Sequence, residues 1–315
     1  MASFIARRLA AMVPLLLLIT FLVFALVLLI PGDPARTLAG GSKASPADVQ
    51  AIRHQLHLDQ PFLAQYWRWL THAVRGDLGT SLFQHQKVVT GIRQRLPLTV
   101  SLALGGFILS ILLGLPLGVL AGTRPGTVPD RSATVGSSIA IAMPDFWLAI
   151  ILVVIFAVKT HLLPALGYVG LAKSPVQWFK HLLLPWIALG LGGSATLARQ
   201  VRGSLIDTLD QDYIRTARAM GLPERQVIGR LALKNALTPA MTILGIQFAY
   251  LLGGTVIIEQ IFAIHGLGEY ILAAIDGRDL PIIQGVVLLT ALVFVVVNLF
   301  VDIGYGVLNP KVRVS

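Results

Sequence analysis

Residues 9–30 run for about twenty-two positions without a charged side chain, and about twenty apolar residues wound as a helix suffice to cross a hydrocarbon core. No other feature narrows the fold as much. Inside a bilayer every backbone amide must find its partner, and a helical span satisfies its own backbone. Comparable stretches recur at 98–122, 132–158, 182–198, 240–262 and 282–306. The expected fold is therefore an all-α integral membrane protein with six transmembrane helices. The composition agrees: 13% of the 315 residues are charged, against about 25% in soluble domains. A cleaved leader would have a shorter apolar core and a small-residue cleavage site. Pro31-Gly32-Asp33-Pro34 follows instead, so 9–30 is expected to be a retained span.

The charges then orient the chain. Arg7, Arg8, Arg124, Arg131, Arg199, Arg202, Lys311 and Arg313 fall in one set of short connections, and the basic stretch 210–239 joins them. The alternate short connections hold Lys159, Lys173, Lys180 and Arg278. Short cytoplasmic loops carry the excess of Lys and Arg, so both termini are expected inside. The net charge of +10 follows from that asymmetry, and no nucleic-acid motif accompanies it. The expected organisation is an N-terminus and first span at 1–30, a long extracytoplasmic loop with short helices at 31–97, a core of five spans at 98–309, and a cytoplasmic tail at 310–315. The core contains a cytoplasmic loop at 202–236 between spans four and five.

Within 31–97, Ser45 ahead of Pro46 reads as a helix cap with proline in the first turn. Residues 49–56 and 62–74 read as short amphipathic helices, with Tyr66, Trp67 and Trp69 suited to the headgroup level. Gly114, Gly118 and Gly122 share one helical face, which permits close helix packing, and contact within the chain is the expected use. Gly190, Gly192 and Gly193 imitate a dinucleotide fingerprint, but no strand precedes them. There is no phosphate-binding loop, no zinc-protease motif, no nucleophile elbow and no cysteine. No catalytic residue and no metal site are expected. His54 and His57 lie three apart with no third ligand in view, so they are read as surface histidines.

Polar residues inside the apolar runs are few: Asp145, Gln247, Glu259, Asn298 and Asp302. An ionisable group at membrane depth usually faces a cavity or a partner. Asp145, in the middle of 132–158, is the candidate for a substrate path, with helix-to-helix hydrogen bonding as the alternative. Glu259 and Asp302 lie toward span ends, within reach of the interface. An ion-coupled transporter or channel is the competing class, but Asp145 has no cationic partner at its depth. A membrane-bound enzyme would need a catalytic cluster that the sequence does not show.

The polar stretch 210–239 reads DQDYIRTARAMGLPERQVIGRLALKNALTP. Residues 213–220 suit a short helix, Gly221 suits its stop, and Pro223 with Glu224 suits the first turn of the next. Ala217, Ala219 and Gly221 keep the corner thin. This stretch resembles the loop of ABC importer permeases that carries the E-A-A, three residues, G, nine residues, I-x-L-P pattern. Ala217, Gly221 and Leu233 match it. Arg215 and Thr216 replace its Glu and Ala, and Lys234 replaces its proline. R-T-A-x-A-x-G-L is usual in the dipeptide, oligopeptide and nickel branch. The segment 31–97, with LHLDQP and GDLGTS, resembles the external loop of that branch, and VDIGYGVLNPKVR resembles its last span and tail. The resemblance implies a multi-pass subunit of the cytoplasmic membrane that forms the translocation path for dipeptides or short oligopeptides; nickel and glutathione permeases share the motifs. It implies a second homologous permease subunit, two cytoplasmic ATPase subunits that bind ATP and Mg, and an extracytoplasmic substrate-binding protein. No cofactor is implied in this chain. The residues implied to engage an ATPase are Arg215, Thr216, Ala217, Arg218, Gly221, Leu222, Glu224 and Arg225.

Overall fold

A computed structural model describes residues 2–29, 35–36, 39, 44–55 and 58–308. Among these the regular structure is helical, with one isolated bridge between Thr80 and Lys87. The helices are α1 (Ala2–Leu29), α2 (Pro46–Gln55), α3 (Phe62–Val74), α4 (Val88–Thr123), α5 (Val128–Ala142), α6 (Asp145–Leu152), α7 (Pro175–Leu209), α8 (Asp212–Ala219), α9 (Leu233–Ile261), α10 (Leu267–Gly277) and α11 (Leu280–Leu308). A π-helical turn, Val153–Lys159, continues α6, and another, Val227–Ala232, leads from a single turn at Glu224–Gln226 into α9. The expected tail 310–315, Pro31 to Pro34 and His57 lie outside the described residues.

Three helical stretches are long and apolar enough to cross a membrane: Val88–Thr123, Pro175–Leu209 and Leu280–Val301. Two bent pairs bring the total to five if each pair counts as one span. The apolar centre of α1, Met12–Ala25, is shorter. The span expected at 132–158 is broken in its middle. α5 and α6 meet at 99°. The break falls at Pro144, whose ring disfavours helical backbone at the residue before it. Met143 accordingly adopts φ −84° and ψ 122°. Asp145 therefore opens α6, where a carboxylate suits the helix dipole, and does not lie in mid-helix.

The contacts divide the chain into two units. In the first (Met1–Ala6, Leu98–Gly268, Val296–Ser315), α4, α7 and α9 surround a core that includes Leu102, Leu182, Leu189, Leu251 and Phe262. Gly114, Gly118 and Gly122 bring α4 against the backbone of α7. A Cβ at Gly114 or Gly118 would stand 2.5 or 2.7 Å from the carbonyl oxygens of Ser194 or Ala198. Gly190 lets α7 approach in return, 2.7 Å from the Gly106 oxygen by the same construction. α7 outruns the expected 182–198 at both ends. Ser174 Oγ caps it by accepting from Gln177 N (3.4 Å), with Pro175 next, as such caps require. Glu259, expected near the interface, is 0% exposed. It accepts from Thr99 Oγ1 (2.6 Å), which itself accepts from Leu267 N (2.8 Å). The Asp302 side chain lies outside the described residues.

In the second unit (Arg7–Pro97, Glu269–Val295), α3 lies on α1. Phe24 meets Phe62, Tyr66 and Trp69 with ring centroids 5.3–5.7 Å apart. The hydroxyls of Thr20 and Tyr66 are 3.0 Å apart. Tyr66 and Trp69 thus pack within the protein, while Trp67 is exposed. Ser45 caps α2 through Asp48 N (3.1 Å), as expected. Ser81 Oγ and Leu82 N both donate to the buried Asp279 carboxylate, at 2.5 and 3.1 Å, fastening the 76–87 turn to the corner before α11.

Candidate functional site

The chain turns between α8 and the run into α9 through a Schellman motif. Leu222 N donates to the Ala217 carbonyl (3.2 Å) and Gly221 N to that of Arg218 (2.9 Å). That closure needs a left-handed residue, and Gly221 supplies φ +81°. Pro223 follows with φ −63°, as the residue that caps the Glu224 turn. Beneath the corner, Ile214, Ala217, Val227, Ala232 and Ala236 close on Leu205 of α7, with Leu222 against them. Ala217 is only 3% exposed. Arg215, Thr216, Gly221, Glu224 and Arg225 are exposed above. Met220, at the tip, is 70% exposed.

Two polar links brace the corner. Arg218 donates to both Glu224 oxygens (2.6 and 3.1 Å), spanning the turn. The bond to Glu224 is the main cause that holds the guanidinium pKa above its ordinary value. Asn235 Nδ2 donates to the Tyr213 hydroxyl (2.8 Å), tying α9 to α8. Arg215 has looser pairs with Asp210 and Asp212, at 3.4 and 3.5 Å. Such exposed pairs stabilise little, about 0–1 kcal/mol each. Near the corner, Arg202 of α7 grips the Asp130 carboxylate of α5 through Nε and Nη2, and Gly126 N donates to the same carboxylate (2.8 Å).

Of the eight residues nominated from the sequence, the structure gathers all at this corner but divides their work. Ala217 and Leu222 belong to its packed base. Arg215, Thr216, Gly221, Glu224 and Arg225 lie on its outer surface, with Arg218 pinned across the turn.

A second feature lies in the same unit. The α5–α6 break opens a cavity of about 490 Å³ between Met143, Asp145, Gly192, Gly193, Gln247 and Tyr250, with Ile141, Leu189, Ile243 and Ile246 among its apolar walls. Asp145 Oδ2 accepts one long hydrogen bond from Tyr250 Oη, 3.4 Å. Gln247 is 9% exposed, and neither its Nε2 nor its Oε1 has a protein partner. Gly193 makes room for that amide, since a Cβ there would overlap it. The double glycine of α7, which imitates a nucleotide motif in sequence, thus makes room for the polar lining of a cavity. Tyr250 was missed in sequence, because an exposed tyrosine in an apolar run carries no signal. Asp130 was missed because its partner is distant in sequence. Among the described residues no three His, Cys, Asp or Glu side chains converge as a metal site. His54 stands 3.9 Å from Asp59 on the surface.

Comparison with known proteins assigns this arrangement a relationship. The family described as binding-protein-dependent transport system inner membrane component matches residues 114–314, and the N-terminal family of such membrane components matches 1–103. A putative peptide transport system permease protein of Brucella abortus is 41% identical over 313 residues, 99% of each chain. The glutathione transport system permease protein of Salmonella typhi is 38% identical over the same length and share. Among solved structures, the inward-facing MetNI methionine ABC transporter superposes with a TM-score of 0.56 at 20% identity. That match covers 69% of this chain and 95% of the other.

Proposed function

The chain belongs to the family of binding-protein-dependent transport system inner membrane components, and from that premise we propose that it carries short peptides inward as one permease of an ATP-driven importer. The permeases it resembles over nearly its whole length are named for peptide and glutathione transport. The proposed complex adds a second homologous permease, two ATPase subunits that bind ATP and Mg, and a substrate-binding protein outside.

The observation that carries the proposal is the Schellman corner. It is a thin, exposed, basic turn on a packed base that continues into α7 and α9. Such a turn can enter a cleft of an ATPase and pass its movement to the spans, because its base shares a core with the helices on either side of it, α7 and α9. In this reading ATP-driven closure of the ATPases displaces the corner, and α7 and α9 switch between outward-open and inward-open arrangements. The proposed contact residues are Arg215, Thr216, Arg218, Gly221, Glu224 and Arg225. Ala217 and Leu222 set the shape of the corner. Asp145 is proposed to border the substrate path.

Six spans with both termini inside complete the proposal. Two contacts support it. Ser81 and Asp279 come from loops that the charge pattern puts outside, and they are bonded to each other. Asp130 and Arg202 come from connections it puts inside, and they too are paired. The test is uptake into proteoliposomes of the assembled importer, offered dialanine, trialanine, glutathione or nickel ions. ATP-dependent accumulation of the peptides alone is the expected outcome. Accumulation of glutathione or nickel without peptide uptake would replace the substrate assignment, and failure of the chain to co-purify with ATPases would remove the importer reading.

A further inference from the structure

A carboxylate at membrane depth calls for a partner, and Asp145 has no basic one among the described residues. Its single hydrogen bond, from Tyr250 Oη at 3.4 Å, is near the limit of such a bond and uses Oδ2 alone. Oδ1 faces Gly192, where no side chain covers it; a Cβ at that position would stand 3.6 Å away. Gln247, nine-tenths buried, stands in the wall of the same cavity with its amide turned in against Gly193. The Asp145 carboxylate is thus the charged group that the cavity exposes, and an ionised group so placed describes a recognition site and not a packing fault.

The chemistry of the complement follows. Asp145 calls for a cation. A bound metal ion requires several hard or nitrogen ligands, and among the described residues lining the cavity Asp145 is the single His, Asp or Glu. An ammonium group needs only one carboxylate and a second acceptor, which Tyr250 Oη provides. A volume of about 490 Å³ is within the usual range for small-ligand pockets.

We propose that this cavity binds the free amino terminus of a transported peptide, with Asp145 Oδ1 accepting from the α-ammonium. The inference rests on the importer reading and refines it: the permease itself selects cargo with a charged amino terminus, apart from any choice made by a binding protein.

Two measurements on the full importer test this. In proteoliposomes, Asp145→Asn should lower dialanine uptake about ten- to a hundredfold, the worth of one hydrogen bond to a charged group. Binding-protein-stimulated ATP hydrolysis and co-purification with the second permease should be retained, and Asp145→Glu should restore much of the uptake. In the complex without binding protein, a diazirine-bearing dipeptide should label the cavity walls. Excess dialanine should block that labelling, whereas N-acetyl-dialanine should not. Unchanged uptake by Asp145→Asn, equal blocking by both competitors, or absent labelling would overturn the proposal. So would loss of assembly in Asp145→Asn, which would make the carboxylate a subunit contact. If the wild-type importer accumulates no peptide at all, the importer reading itself fails, an outcome distinct from these.

Discussion

Gly221 and Ala217 are four residues apart in one motif, yet the structure gives them opposite exposures, and their substitutions separate accordingly. A Cβ at Gly221 would meet nothing within 4 Å, but φ is +81°. Gly221→Val therefore acts through backbone strain, about 1–3 kcal/mol, and through a thickened tip. The variant should insert in the membrane normally and lose ATPase attachment or coupling, read as co-purification and as cargo-stimulated hydrolysis. Ala217→Trp differs. The sequence treats that alanine as part of a thin surface, whereas it lies in the base of the corner. Overpacking such a site costs about 1–3 kcal/mol. Its expected effect is a lower melting temperature of the purified permease, and normal melting with lost coupling would contradict this placement. Exposed Gln226 should tolerate alanine in both assays.

At the scale of elements, α4 and α7 are held by glycine on one side and a carbonyl ladder on the other. Gly118→Leu leaves the side chain no room, because the obstruction at 2.7 Å is backbone. Thermal unfolding in detergent should shift by the equivalent of about 1–3 kcal/mol or more. Leu at Gly136, where nothing lies within 4 Å, is the matched control. α5 and α7 are joined differently, through Asp130 and Arg202. Arg202→Met strands a buried carboxylate and should destabilise the permease. The double variant with Asp130→Leu should recover much of the loss, because replacing both members of such a pair is far less harmful than removing one. A double variant as unstable as the single would show that the pair contributes by something other than mutual compensation.

For the whole molecule, the testable statement is orientation. A reporter active only outside the membrane, fused after Gly76, should be active, and one fused after Leu222 should be inactive; the reverse pattern would overturn the two-termini-inside reading. Both positions are on connections rather than in helices, so fusion there leaves the spans intact. The bonds Ser81–Asp279 and Arg202–Asp130 add a constraint, since each fixes two connections to one side.

Local rules made the helical membrane class, the Ser45 cap and the Gly221 stop legible in the sequence, because each depends on neighbours within a few residues. An apolar run must satisfy its own backbone, and a helix stop needs its glycine regardless of what surrounds it. The bend at Pro144 was not legible: Pro14, Pro185 and Pro239 lie inside helices, so a proline alone does not mark a break, and the apolar pattern runs across this one. Other features had no local signature. The sequence could not tell that Glu259 would be buried against Thr99, or that Gln247 and Asp145 would share a cavity. Each depends on which side of a helix meets another helix far along the chain. In membrane-spanning segments almost every side is apolar, so periodicity does not mark the inward face. Only the close approach of α4, α7 and α9 decides it.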